Sequence, residues 1–193
     1  MFINDWKKEV FTIPNLLSLF RLALIPVYMA VYLNAVLPWH YHLAGGILAL
    51  SCLTDAVDGQ VARHFHMVSN VGKILDPFAD KITQLTLTLC LSLRYRSLGP
   101  VLLIFLVKEL FQLIAGVVNL RRGKMLPGAL FAGKLCTTVL FVSFILIVLF
   151  PALPESYIRT ISILDCLFLF FSFGGYLSAY LGRNGKVQDI DPN

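Results

Sequence analysis

With 193 residues, 58% hydrophobic and 14% charged, and a mean hydropathy of +0.77, the chain lies outside the compositional range of a water-soluble domain. Its formal charge of +5 resides in basic residues at the ends of apolar runs rather than in a stripe interleaved with aromatics, which argues against nucleic-acid binding. Cys52, Cys90, Cys136 and Cys166 stand singly in apolar stretches and read as small buried residues, not as disulfide partners or zinc ligands.

Residues 1–11 mix Phe2, Ile3, Trp6 and Phe11 with Asp5, Lys7, Lys8 and Glu9, the pattern of a short interfacial helix rather than a cleavable signal peptide. Six apolar segments follow, at about 13–34, 38–63, 71–95, 98–120, 130–151 and 157–181. Each is near the roughly 20 residues that cross about 30 Å of hydrocarbon as a helix, and the alternating strands of a barrel are absent. The first begins at Thr12-Ile13-Pro14, a cap followed by an early proline, and Pro26 reads as a kink within it. Pro38, Trp39, His40, Tyr41 and His42 read as an external loop with interfacial aromatics, its two histidines solvated.

Lys7, Lys8, Arg63, Lys73, Arg121, Arg122, Lys124, Arg183 and Lys186 collect on one side, and Arg94, Arg96 and Arg159 on the other. The positive-inside rule then puts both termini in the cytoplasm. The expected architecture is an all-α integral membrane protein, a single domain over residues 1–193 with six transmembrane helices. No internal repeat is evident, which disfavours a transporter built from inverted halves.

The chemistry concentrates between the second and third segments. On a helix, Asp55, Asp58, Gly59 and Ala62 fall at i, i+3, i+4 and i+7, and Gly72, Asp76 and Asp80 at i, i+4 and i+8, so each set shares one face. A short connection folds the two helices together, and four carboxylates converge near their cytoplasmic ends. A charge at the centre of a membrane helix costs roughly 2.5–3.5 kcal/mol on insertion scales, so four acids need compensation. A salt-bridge cluster with Arg63, Lys73 and Lys81 is one solution, but three cations do not neutralise four acids. A pair of hard divalent cations, Mg2+ or Mn2+, suits an all-oxygen donor set, and such ions complete their shells with substrate phosphates. Gly59 permits close approach of a bulky ligand, Arg63 is placed to meet a phosphate, and Asp80 is placed to take a proton from an incoming hydroxyl. Pro77, between two of the acids, releases the carbonyl of Lys73 from the helix ladder.

The string Asp55-x2-Asp58-Gly59-x2-Ala62-Arg63-x8-Gly72-x3-Asp76-x3-Asp80 resembles, without a departure, the signature of the CDP-alcohol phosphotransferases. The length, six apolar segments, the opening Ile13-Pro14-Asn15 with Arg21, and Gly133-Lys134 also look like bacterial members, so the resemblance covers most of the chain. It implies transfer of a phosphatidyl group from CDP-diacylglycerol to an alcohol, with release of CMP, by a homodimer in the bacterial cytoplasmic membrane. It further implies that Asp55, Asp58, Asp76 and Asp80 hold two metal ions, that Asp80 is also the base, and that Gly59, Ala62, Arg63 and Gly72 line the nucleotide and diphosphate site.

For the acceptor, Gly133-Lys134-Leu135-Cys136-Thr137-Thr138 is similar to a G-K-x-x-T-T stretch of phosphatidylglycerophosphate synthases, and Lys108-Glu109 loosely matches their Arg-Glu pair, with Lys for Arg. The expected acceptor-binding residues are Lys134, Arg121 and Lys108, although Arg121 also suits a positive-inside anchor. The leading expectation is glycerol 3-phosphate as acceptor. Phosphatidylglycerol, as in CMP-forming cardiolipin synthases, comes next, followed by serine or inositol phosphate. A divalent-cation carrier is the alternative of a different class, motivated by the same four acids.

Overall fold

The computed structural model describes residues 12–64, 72–121 and 131–181, with side chains described throughout except at 13–14, 55–64, 73–74, 119–121, 131–132 and 179–181. Six α-helices occur among the described residues: α1 (Ile13–Leu33), α2 (Pro38–His64), α3 (Gly72–Arg94), α4 (Gly99–Arg121), α5 (Phe131–Leu149) and α6 (Glu155–Leu181), with a 3-10 turn at Arg96–Leu98 before α4. Every helix end lies within two residues of the segments read from sequence, and no strand occurs among the described residues. The interfacial segment expected before residue 12 and the polar tail lie outside the described residues. Among the described residues, three stretches, Asn15–Leu33, Arg96–Val118 and Glu155–Ser178, are long and apolar enough to cross a bilayer, and Gly133–Leu149 is a shorter apolar helix.

The chain divides into two compact units, one comprising Met1–Cys90 and Ile145–Pro151, the other Leu91–Phe144 and Ala152–Asn193, with the boundaries falling inside or at the end of helices. In the first unit the buried row of α1 steps through Asn15, Ser18, Arg21, Tyr28 and Tyr32. Its polar start gives way to aromatic packing: Tyr28 stacks on Tyr32 with ring centroids 5.6 Å apart, and Tyr32 meets Tyr41 of α2 edge-on at 5.9 Å. The Tyr41 hydroxyl donates to the Ala35 carbonyl at 2.8 Å, closing the connection between α1 and α2. Since the end of α1 meets the beginning of α2, the two helices run antiparallel.

The expectation of an external loop at Pro38 to His42 is corrected. These residues open α2, with Pro38 at its first position, where a missing N–H costs nothing. The imidazole Nδ1 of His40 accepts the backbone N–H groups of Val36 and Leu37, both at 3.1 Å. From the third helical position the histidine reaches back to N–H groups ahead of the helix, the part that Glu or Gln plays in a capping box.

In the second unit α6 buries Ile158, Ser162, Asp165, Leu169 and Ser172 at helical spacing. Its polar members are tied down: Ser162 donates to the carbonyl of Ser97 at 2.6 Å, and Ser143 of α5 donates to Oδ1 of Asp165 at 2.9 Å. Phe111 of α4 packs edge-on against Phe173 of α6 at 5.2 Å. Outward, α4 exposes Leu103, Leu106, Leu110 and Leu113, and α6 exposes Ile163, Leu167, Phe170 and Phe171. Such a face is stable against lipid tails and is not stable against water.

Candidate active site

The acids of α3 lie on the row that α3 turns inward. Gly72, Ala79, Thr83 and Leu87 on that row are buried, Asp76 is half-buried, and the Asp80 side chain remains 53% exposed. Deeper along the helix, Thr83 and Thr88 satisfy their hydroxyls by donating back to the carbonyls of Ala79 (2.8 Å) and Gln84 (2.7 Å). The helix runs through Pro77, which faces outward.

α1 supplies the partners of these acids. The Ser18 hydroxyl donates to Oδ1 of Asp76 at 2.6 Å, and the Arg21 guanidinium donates to and pairs with Oδ1 of Asp80. Both contacts advance in the same direction along both helices, so α1 and α3 are parallel, and one step of three or four residues, about 4.5–6 Å, separates the two contacts. Ser18 is 0% exposed and Arg21 2%. A permanently charged guanidinium so enclosed needs a carboxylate beside it. One turn further in, Leu24, Ile25 and Tyr28 of α1, Ile47, Leu48 and Ser51 of α2, and Thr83, Thr86 and Leu87 of α3 line a small cleft.

Because α2 runs opposite to α1, its last turns reach the end of the unit where α1 and α3 begin. Asp55, Asp58, Gly59, Ala62 and Arg63 all lie in its helical run, and Asp55 follows Ser51 by one turn on the row Tyr41, Ala44, Leu48, Ser51. Their side chains lie outside the described set, as does the connection over residues 65–71. Among the described residues no three metal-ligating side chains cluster. Asp76 and Asp80 are therefore the two expected acids whose surroundings are described, and their neighbours Ser18 and Arg21 belong to a helix that the acid spacing does not point to. The signal was present as Asn15, Ser18 and Arg21 at three-residue steps in an otherwise apolar segment.

The acceptor-side residues lie in the second unit. Lys108 is buried at 3% exposure, its Nζ bonded to Oε1 of Glu109 at 2.8 Å and set over the rings of Phe105 and Tyr176 at 6.0 and 5.9 Å. Lys134 is exposed, and its carbonyl accepts the hydroxyls of both Thr137 and Thr138 at 2.9 Å, so the threonine pair is occupied locally. Arg121 ends α4, and its side chain is outside the described set. Asp165, buried at 0% exposure, has no counterpart in the sequence-based expectations.

Gly133 is held to its size by Tyr176. A methyl group at Gly133 would lie 2.5 Å from the Tyr176 hydroxyl oxygen and 3.0–3.1 Å from its ring. Gly133→Ala gains about 1 kcal/mol of helix propensity but forces a ring that Lys108 overlies, an overpacking cost of about 1–3 kcal/mol. The expected outcome is a lower thermal midpoint in detergent for Gly133→Ala, partly restored when Tyr176→Phe is added. An unchanged or raised midpoint for the single variant would contradict this packing.

The fold and site define an all-helical protein with the make-up of an integral membrane protein, bearing paired carboxylates where three helices of one unit come together. The sequence profile of the CDP-alcohol phosphatidyltransferase family matches residues 11–171, and the chain belongs to that family. It is 34% identical over 145 residues to a cardiolipin synthase (CMP-forming) of Streptomyces coelicolor, covering 73% of this chain and 66% of that one. It is 42% identical over 85 residues to a CDP-diacylglycerol--glycerol-3-phosphate 3-phosphatidyltransferase of Bacillus subtilis, covering 38% of this chain and 44% of that one. A Mycobacterium bovis protein is 31% identical over 180 residues, covering 91% of this chain and 80% of its own length. The chain thus spans just under two thirds of the Streptomyces relative and less than half of the Bacillus one in these matches.

Proposed function

We propose that the chain is a CDP-diacylglycerol-dependent phosphatidyltransferase, working as one domain over residues 1–193 in a bacterial cytoplasmic membrane. The observation that carries this reading is the acid row of α3, Asp76 and Asp80 one turn apart and each gripped by α1, beside the helix that bears Asp55 and Asp58. The acceptor hydroxyl attacks the phosphorus that carries the diacylglycerol group. A new P–O bond forms, the bond to the bridging diphosphate oxygen breaks, and CMP departs with that oxygen. Asp80, half-exposed at the rim, takes the hydroxyl proton. Gly59, Ala62, Arg63 and Gly72 line the nucleotide and diphosphate site.

The donor set fits a divalent cation. Asp76 and Asp80 present hard carboxylate oxygens four residues apart, with Asp55 and Asp58 completing four acids, which suits Mg2+ or Mn2+ better than a soft metal. When bound, two such ions supply charge neutralisation for the diphosphate and the leaving CMP. Ser18 and Arg21 hold the α3 carboxylates in place.

Glycerol 3-phosphate remains our proposed acceptor, with Lys134, Arg121 and Lys108 as the residues that would meet its phosphate. The longer similarity to the Streptomyces cardiolipin synthase favours phosphatidylglycerol as the second reading. Both acceptors present a glycerol hydroxyl with a phosphate elsewhere on the same glycerol. Six membrane spans, both termini in the cytoplasm, an active site at the cytoplasmic side and a homodimer complete the proposal.

The test is CMP release by purified protein given CDP-diacylglycerol and Mg2+ or Mn2+, with glycerol 3-phosphate, phosphatidylglycerol, serine and inositol phosphate supplied in turn. Metal-dependent release with one of the two glycerol-based acceptors is the expected result, and it names the acceptor. Metal flux across sealed vesicles with no CMP from any acceptor would sink the reading in favour of a cation carrier.

A further inference from the structure

Three polar side chains, Asn15, Ser18 and Arg21, occupy the buried row of α1 at 1%, 0% and 2% exposure, in a helix whose next buried positions are tyrosines. Stability alone does not call for them, since a buried ion pair is commonly matched or bettered by apolar residues of similar volume. What Ser18 and Arg21 share is their target: each reaches Oδ1 of a carboxylate on α3, at Asp76 and Asp80 respectively.

We infer that Ser18 and Arg21 are positioning residues that aim Asp76 and Asp80, the first helix serving as the rear wall of the reaction centre. The inference rests on the function proposed above. The 2.6 Å contact from Ser18 is a charge-assisted bond in the short range, and it fixes one oxygen of Asp76 from the buried side. Arg21 acts on Asp80 in the same way. Its guanidinium is planar and always charged and lies 2% exposed, whereas the carboxylate that it holds is 53% exposed. The pair is thus anchored on the protein side and presented on the outer side. Arg21 is engaged with Asp80, and the role of meeting a substrate phosphate stays with Arg63. Groups that orient metal-binding side chains in this manner typically account for about 10- to 100-fold in metal affinity or activity.

The test uses full-length protein in detergent and two independent readouts. The first is Mn2+ binding without substrates, followed by the loss of the free-ion electron paramagnetic resonance signal. The second is kcat and donor KM at saturating Mn2+. Ser18→Ala, which removes a single hydroxyl, is expected to weaken Mn2+ binding about 10- to 100-fold. Arg21→Gln is expected to lower kcat by a similar factor while donor KM stays within about threefold, with Arg21→Lys recovering part of the loss because it restores charge without the planar fork. If Arg21→Gln does not fold, Ser18→Ala and Arg21→Lys carry the test. Wild-type Mn2+ affinity in Ser18→Ala together with wild-type kcat in Arg21→Lys would overturn the inference. Absence of CMP release from the unmodified protein would overturn the proposed function instead, and the Mn2+ titrations of wild type against Ser18→Ala would still decide the positioning role.

Discussion

Replacing Asp80 by asparagine is expected to slow CMP release by about 100- to 10,000-fold while Mn2+ and donor binding are weakened but still measurable. The amide keeps the shape and one carbonyl oxygen, so the Arg21 guanidinium retains an acceptor. What disappears is the capacity to take a proton at the reacting hydroxyl, and general-base assistance is worth about that factor. Arg21 also loses its counter-charge, which costs stability, but less than for a fully buried pair because Asp80 is about half exposed and solvent screens it. Turnover and binding must therefore be measured on the same folded sample. Near-normal turnover in Asp80→Asn would remove Asp80 from the base role, and complete loss of donor binding would make it chiefly a ligand.

Asp55→Ala and Asp58→Ala should fail one step earlier. If these carboxylates hold the cations that meet the diphosphate, either variant is expected to lose the Mg2+-dependent part of CDP-diacylglycerol binding, with a fall of about 100-fold or more in affinity at millimolar Mg2+. The sign in chelator is the sharper check. Without cations, a cluster of acids repels an anionic diphosphate, so removal of one acid should leave residual donor binding equal to or tighter than that of the unmodified protein. Binding titrations with and without chelator measure both effects. Retained metal-dependent binding in both variants would contradict the assignment of Asp55 and Asp58.

Much of this arrangement is legible in the amino-acid order, for identifiable reasons. Apolar runs of helical length are broken by Asn34 to Leu37, by Tyr95 to Leu98 and by Pro151 to Pro154, and the helices end at or beside those breaks. The shared faces of the acids follow from helix periodicity alone. Contacts between residues distant in the chain are less accessible to such reading. Ser18 and Asp76 are 58 positions apart, and no local spacing encodes their meeting. The lysine and glutamate at 108 and 109 read as a pair, but the placement of Lys108 over the ring of Tyr176 depends on α6, and the bond from Ser143 to Asp165 depends on how α5 and α6 align. His40 misleads for a different reason: histidine has no strong capping preference, so the start of α2 carries little recognisable punctuation beyond Pro38.

The pairing of Arg21 with Asp80 has a consequence for biogenesis. The two residues are separated by 59 positions, so at about 5–20 residues per second the arginine is made roughly 3–12 s before its carboxylate exists. During that interval α1 is an apolar helix burdened with a cation worth about 2.5–3.5 kcal/mol against insertion, and nothing yet translated from α3 can neutralise it. The charge on the first helix therefore meets its carboxylate on Asp80 only after the third helix has been made. Pairing of the first helix with the third is thus a late event in the making of this unit, reached only after the second helix has been translated in full.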